Sequence, residues 1–217
     1  RPLLQDPVDP GQGRDIAVLD AKFEPGRPAV LLYRAGDRLV HGTIPVPDGS
    51  AGRHPGLRLS DYPVDPALPA LPCARSAQCL ARSIERGHLD GPVTVGQVRS
   101  RLLRYRPGRR ATFEVVAELS DATGPHATRL VAKVYHDRAK ADPVVREARE
   151  LLQQQAAAPL VLAQVVAHDP GRAIVVQQHL PGMPLVVDLA RPPTSETTEQ
   201  VRRAAQALAA LHGLAVG

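Results

Sequence analysis

The chain predicts an α+β fold, and three features carry that expectation. From Gly91 onward apolar and polar residues alternate as half-buried strands do, most clearly where Ala111, Phe113, Val115, Ala117 and Leu119 are separated by Thr112, Glu114 and Glu118. Two later segments, opening near Asp142 and near Ser195, repeat apolar residues at helical spacing. Ahead of all of them lies a stretch that is first β-favouring and then proline-rich.

Taken in order, residues 16–19, 29–33 and 38–44 read as short strands of a small antiparallel meander, separated by Pro-Gly and Ala-Gly-Asp turn signals. Beyond Pro45 proline becomes too frequent for a helix interior or a central strand, so residues 61–72 read as an extended arm or wrapped loop. A short helix is expected over 74–85. Strands follow over 98–105, 111–119 and 130–135, joined by turns at Pro107-Gly108 and at 121–126. Asp142-Pro143 reads as an N-cap with proline in the first turn, opening a helix to about Gln155 whose inner stripe uses Val144, Val145, Ala148, Leu151 and Leu152. Residues 160–167 and 173–177 give two more strands around a turn at 168–171. A last helix runs from Ser195 to Gly213, through Val201, Ala204, Ala205, Leu208 and Leu211.

Two Pro-Gly turns share a local pattern, an aromatic residue, a spacer and then Pro-Gly-Arg: Phe23-Glu24-Pro25-Gly26-Arg27 and Tyr105-Arg106-Pro107-Gly108-Arg109. Two copies do not make a solenoid.

Composition excludes several classes. No run of eighteen apolar residues marks a membrane span and no leader pattern opens the chain, so a cytoplasmic, soluble protein without membrane partners is expected. Cys73 and Cys79 fit neither a zinc pair nor a C-x-x-C redox motif and read as two separate thiols, buried or half-buried. The formal net charge of +5 invites an anionic partner, but 24 of the 27 basic residues are arginine while asparagine and tryptophan are missing altogether, a bias of coding composition. Six arginines lie between Arg99 and Arg110, yet only Tyr105 and Phe113 stand near them for base stacking, which argues against nucleic acid.

The chemistry-bearing residues sit in the second half. Lys133 closes the apolar run Leu130-Val131-Ala132-Lys133, where Val131 and Lys133 share a strand face. Glu147, with Glu150 in reserve, lies on the following helix, and Gln177-Gln178-His179-Leu180-Pro181-Gly182 ends the last strand in a connector. Each motif alone has a plain structural reading: a lysine reaching past a sheet edge, a solvated face beside Arg146 and Arg149, a strand-to-loop junction. Together, three strands, a helix, two strands, a Leu-Pro-Gly connector and an amphipathic helix resemble the nucleotide-binding lobe of protein-kinase-like folds, in particular the aminoglycoside phosphotransferase family of small-molecule kinases.

That resemblance implies a kinase-like N-lobe of five antiparallel strands and one helix at 93–185, the start of a C-lobe at 186–217, and a β-rich, proline-rich accessory region at 1–92. It implies that Lys133 reaches the nucleotide phosphates with Glu147 orienting it. Val131 would line the base pocket, the backbone near Gln178 and Leu180 would bind the base edge, and Gly108 with Arg109 would cover the phosphates beside Arg110. The cofactors implied are ATP or GTP with Mg2+, and the acceptor is a small-molecule hydroxyl. The family's catalytic loop, His-Gly-Asp followed by Asn, requires a residue type that these 217 residues do not contain, so the metal ligands are expected elsewhere and this chain alone is expected to be inactive, a fragment of a longer enzyme. The alternative is a noncatalytic kinase-like binding or regulatory module.

Overall fold

The computed structural model describes residues 16–46, 56–154, 161–182 and 194–213. Among these described residues two antiparallel sheets and four helices make up an α+β architecture. The first sheet runs in chain order through β1 (Ile16–Lys22), β2 (Ala29–Ala35), β3 (Arg38–Ile44) and β4 (Arg58–Asp61). Strand β4 lies in the stretch beyond Pro45, where proline frequency predicts no strand. Its four residues pair with Val40 to Thr43, and Arg38 on β3 grips Asp61 with one guanidinium nitrogen 2.6 and 2.7 Å from the two carboxylate oxygens.

The arm after β4 turns back on itself and runs into helix. The expected single helix is two, α1 (Leu71–Arg75) and α2 (Ala77–Gly87), because Ser76 adopts an extended backbone and caps α2 by accepting a hydrogen bond from the Cys79 amide. That break also corrects the reading of the cysteines. Cys73 and Cys79 are joined in a disulfide, their Cα atoms 5.1 Å apart, a separation that one continuous helix does not allow. Such bridges persist in oxidising surroundings and are rare in the cytosol of most organisms.

The second sheet has the order β5-β6-β7-β9-β8, formed by β5 (Thr94–Arg106), β6 (Arg110–Asp121), β7 (Gly124–Tyr135), β8 (Val165–Asp169) and β9 (Ile174–Gln178). Five antiparallel strands were expected, and they form one sheet. Strand β8 starts later than predicted and takes in His168 and Asp169, so the turn falls at Pro170 to Ala173 instead. One face of the sheet carries Phe113, Val115, Leu130, Ala132, Val134, Ile174 and Val176. It forms a single core with Leu68, Leu71, Leu80 and Ile84 of the preceding arm and helices, and with Leu32 of the first sheet. Burying an aliphatic side chain of this size stabilises by about 2 kcal/mol, so this shared core is what joins the two halves.

The opposite face takes α3 (Arg138–Gln154) through Tyr135, Ala141, Val145, Val165 and Val175. Helix α3 begins five residues before the predicted first helical position at Pro143, which lies inside it. Asp137 does the capping, its Oδ1 accepting from the Lys140 amide at 2.9 Å, while Asp142 is occupied as the i,i+4 partner of Arg138 at 2.7 Å. Asp142 also faces His168 of β8 at 3.3 Å, tying the helix to the sheet edge. The predicted helix end at Gln155 lies outside the described residues, as does Leu160. Helix α4 (Ser195–His212) is capped by Thr194 and ends on Gly213, and none of its side chains is buried. No helix among the described residues is long and apolar enough to cross a membrane.

Candidate functional site

Along β7, Leu130, Ala132 and Val134 are buried in the shared core, so Val131 and Lys133 point to the face that carries α3. Register extends that face sideways: Lys133 lies between Thr112 of β6 and Val175 of β9, and Val131 stands opposite Gln177. The Lys133 ammonium donates to Gln177 Oε1 at 2.5 Å. Burial, assisted by the Arg110 guanidinium, holds the amine below the usual lysine range. Lys133 is thus a half-buried cation whose one hydrogen-bond partner among the described residues is a neutral amide. Gln177 was not anticipated. It ends the apolar run Ile174-Val175-Val176, and only strand pairing shows that it shares the lysine's face.

Glu147 is exposed on α3 and makes no ion pair with Lys133 among the described residues. Glu150, the reserve partner, has Oε1 3.9 Å from Arg146, while its Oε2 is buried without a hydrogen-bond partner. The helix turns Ala141 and Val145 toward the sheet, which carries Glu147 to the outer side.

The β5–β6 hairpin closes on Arg106-Pro107-Gly108-Arg109. The Arg109 amide donates to the Arg106 carbonyl at 3.0 Å, and Gly108 has φ +69°, the left-handed conformation that a type II turn demands after proline. Beside this turn, the end of β7 and the start of α3 opens a cavity of about 640 Å³. Arg27, Arg106, Arg109, Arg110, His136 and Lys140 line it together with Gly108, and no carboxylate does. Glu24, outside the lining, pairs with Arg27 and Arg109, and Asp137 with His136, while Arg106, Arg110 and Lys140 make no ion pair among the described residues, an excess of positive charge that suits a polyanion such as a chain of phosphates. Arg110 belongs both to this cavity and to the surroundings of Lys133.

At the far end of β9 the Gln178 amide is already bound to the Gln164 carbonyl at 2.8 Å, and the His179 amide to that of Arg129 at 3.2 Å. The Leu180 amide has no partner among the described residues and precedes Pro181, which has no N–H to offer. Of the two connector positions predicted to bind a base, Leu180 therefore keeps its donor free and Gln178 does not. Met183, Pro184 and Leu185 lie outside the described residues. Among the described residues no three His, Cys, Asp or Glu side chains group as metal ligands.

A strand lysine held by an amide, an acid-free basic cavity at a hairpin turn and a connector with a free amide define a candidate phosphate-handling face. The family model of the phosphotransferase enzyme family matches residues 106–217, just over half of the chain, and the chain belongs to that family. The match opens at the last residue of β5 and takes in the turn, Lys133, α3, the connector and α4. This bears out the resemblance to aminoglycoside-phosphotransferase-like proteins. No curated protein and no solved structure matches the chain.

Proposed function

We propose that this chain supplies the nucleotide-binding lobe of an ATP- or GTP-dependent small-molecule phosphotransferase. Residues 93–185 form that kinase-like lobe, 186–217 begin a second lobe, and 1–92 are an accessory region whose described part, through Leu68, Leu71, Leu80 and Ile84, packs on the sheet face turned away from Lys133. The observation that carries the reading is the pairing of Lys133 with a neutral amide beside a cavity lined by six basic side chains and no acid.

Lys133 and Arg110 hold the phosphates by charge, and the Gly108 to Arg109 turn covers them. Val131 contributes to the base pocket, and the Leu180 amide donates to the edge of the base. Glu147 would have to swing inward to orient Lys133, in which case α3 is the element that moves when nucleotide binds. The groups that hold magnesium, like those that select the acceptor hydroxyl, would belong to a part of the enzyme outside the described residues.

Calorimetric titration of ATP and GTP into the 217-residue chain tests this, with Lys133→Ala as the comparison. Removing one charge-assisted contact should weaken binding by about tenfold with the circular dichroism unchanged. Equal affinity in the variant sinks the role of Lys133, and no binding of either nucleotide to the parent chain sinks the lobe.

A further inference from the structure

The two Pro-Gly turns enclose a second cavity, of about 400 Å³, on the seam between the N-terminal sheet and the β5–β6 hairpin. We propose that it is a binding site for a small phosphate monoester, centred on Arg58 and His41 away from Lys133, although Arg27, Gly108 and Arg109 line both this cavity and the basic cavity of the nucleotide face. Its size falls within the range of small-molecule sites.

Charge decides the sign of the ligand. Lys22, Arg27, Arg58 and Arg109 line the cavity against two carboxylates, those of Glu24 and Asp65. Asp65 is fully engaged: its Oδ1 accepts from the Ala67 amide, and its Oδ2 from the Tyr105 hydroxyl and the Gly108 amide, each at 2.8 to 2.9 Å. Glu24 is shared among three cations, with Lys22 at 2.5 Å, Arg109 at 3.0 Å and Arg27 at 3.1 Å. Arg58, on β4, makes no ion pair among the described residues. Two carboxylates among four cations still leave an excess of positive charge that a dianion neutralises, and guanidinium forks match phosphate oxygens.

His41 supplies the second, independent observation. Its side chain is almost fully buried, at 6% exposure, yet it lines the cavity. Because the Tyr105 hydroxyl donates to Asp65, its oxygen must accept from His41 Nδ1, 3.1 Å away. That places a proton on Nδ1, so in the neutral imidazole Nε2 is a lone-pair acceptor, and Nε2 has no partner among the described residues. A hydroxyl on the ligand donates to Nε2, and the hydroxyls of Thr43 and Ser60, also in the lining, complete a polar wall. The ligand class is therefore a hydroxylated phosphate monoester, its phosphate on Arg58 and its neighbours and its hydroxyl on His41.

Glycerol 3-phosphate is the probe, titrated into the full chain by calorimetry with glycerol alone as control. Binding should require the phosphate, and Arg58→Ala should weaken it about tenfold. Lys140→Ala, which alters only the neighbouring basic cavity, should leave it unchanged. Loss of binding in Lys140→Ala with none in Arg58→Ala overturns the assignment, as does the absence of binding to the parent chain. A measurement without mutation gives the second test, the imidazole nitrogen shifts of His41. They should move at Nε2 as the probe saturates, and an unmoved His41 at saturation overturns the site.

Discussion

Arg109 Nη2 lies 3.0 Å from Glu24 Oε1, and that contact ties together two turns of the same build. Glu24-Pro25-Gly26-Arg27 and Arg106-Pro107-Gly108-Arg109 each close with a 3.0 Å hydrogen bond from the arginine amide to the first carbonyl, and each has its glycine at positive φ. The shared sequence pattern thus reports a shared turn type, and the turns meet through their charged positions. Both side chains stay substantially exposed, so the pair should be weak. A double-mutant cycle of Glu24→Ala and Arg109→Ala, read by urea unfolding, should give a coupling of about 0.5 kcal/mol that shrinks as salt is added. A coupling several times larger would mean that the turns form a rigid buried unit.

Tyr105 is the polar pin of the same seam, bound to Asp65 from the proline-rich arm and to His41 of the first sheet. Burial first, then the Asp65 carboxylate, raise its phenol well above the usual 10.0. The folded chain therefore holds this proton where the unfolded chain loses it. The contribution to stability is complete below about pH 10 and is lost as pH climbs above that value. Tyr105→Phe should cost about 1–3 kcal/mol near neutrality, because Asp65 loses a donor in a buried place. It should also flatten part of the alkaline decline. Thermal unfolding followed across that pH range measures both effects.

How far the sequence carried this fold depended on whether its signals were local. Strand β3 falls on residues 38–44 as predicted because the Gly36-Asp37 turn and the proline at 45 bound it on both sides. The start of α3 was misplaced because Asp142-Pro143 imitates a helix opening, whereas Asp137 does the capping and Pro143 is accommodated inside the helix. The disulfide was hidden for a similar reason. Residues six apart on an unbroken helix are separated by about 9 Å of rise, and only the bend at Ser76 brings Cys73 and Cys79 together. At the candidate site Lys133 was legible as a cation in an apolar strand. Gln177 was not, because its place beside the lysine is set by pairing across forty-four residues of chain.

Close packing should make Gly87 intolerant of any side chain. It ends α2 against β8, and a methyl group there would sit 2.3 Å from the His168 carbonyl oxygen and 2.5 Å from its carbon. Backbone of a sheet cannot move aside as a flexible side chain can, so Gly87→Ala should destabilise by about 3 kcal/mol. Gly108→Ala makes the instructive contrast. Its methyl would meet nothing closer than 4.0 Å, so only the positive φ opposes it, at about 1 kcal/mol. Chemical unfolding of the two variants side by side should keep that order. The reverse order would place the strain in the hairpin turn instead of the helix end.

Lys133 should give nucleotide binding an alkaline limit that an exposed lysine would not. Its amine is held below 10.5 by burial and then by Arg110, and only the ammonium form attracts phosphate. Affinity should therefore decline as pH rises toward the lowered value. The sign for stability runs the other way. Between the folded and unfolded values the unfolded chain binds the extra proton, so this group's contribution to stability improves with rising pH, opposite to that of Tyr105. Binding and folding thus separate in one titration: weaker nucleotide binding without unfolding. Lys133→Arg supplies the control, since a guanidinium keeps its charge throughout. ATP titrations from about pH 7 to 9.5 should show a decline in the parent chain and a flat profile in the arginine variant, which avoids the onset of tyrosine ionisation. Parallel declines in both proteins would assign the pH dependence to another group and remove Lys133 from the phosphate site.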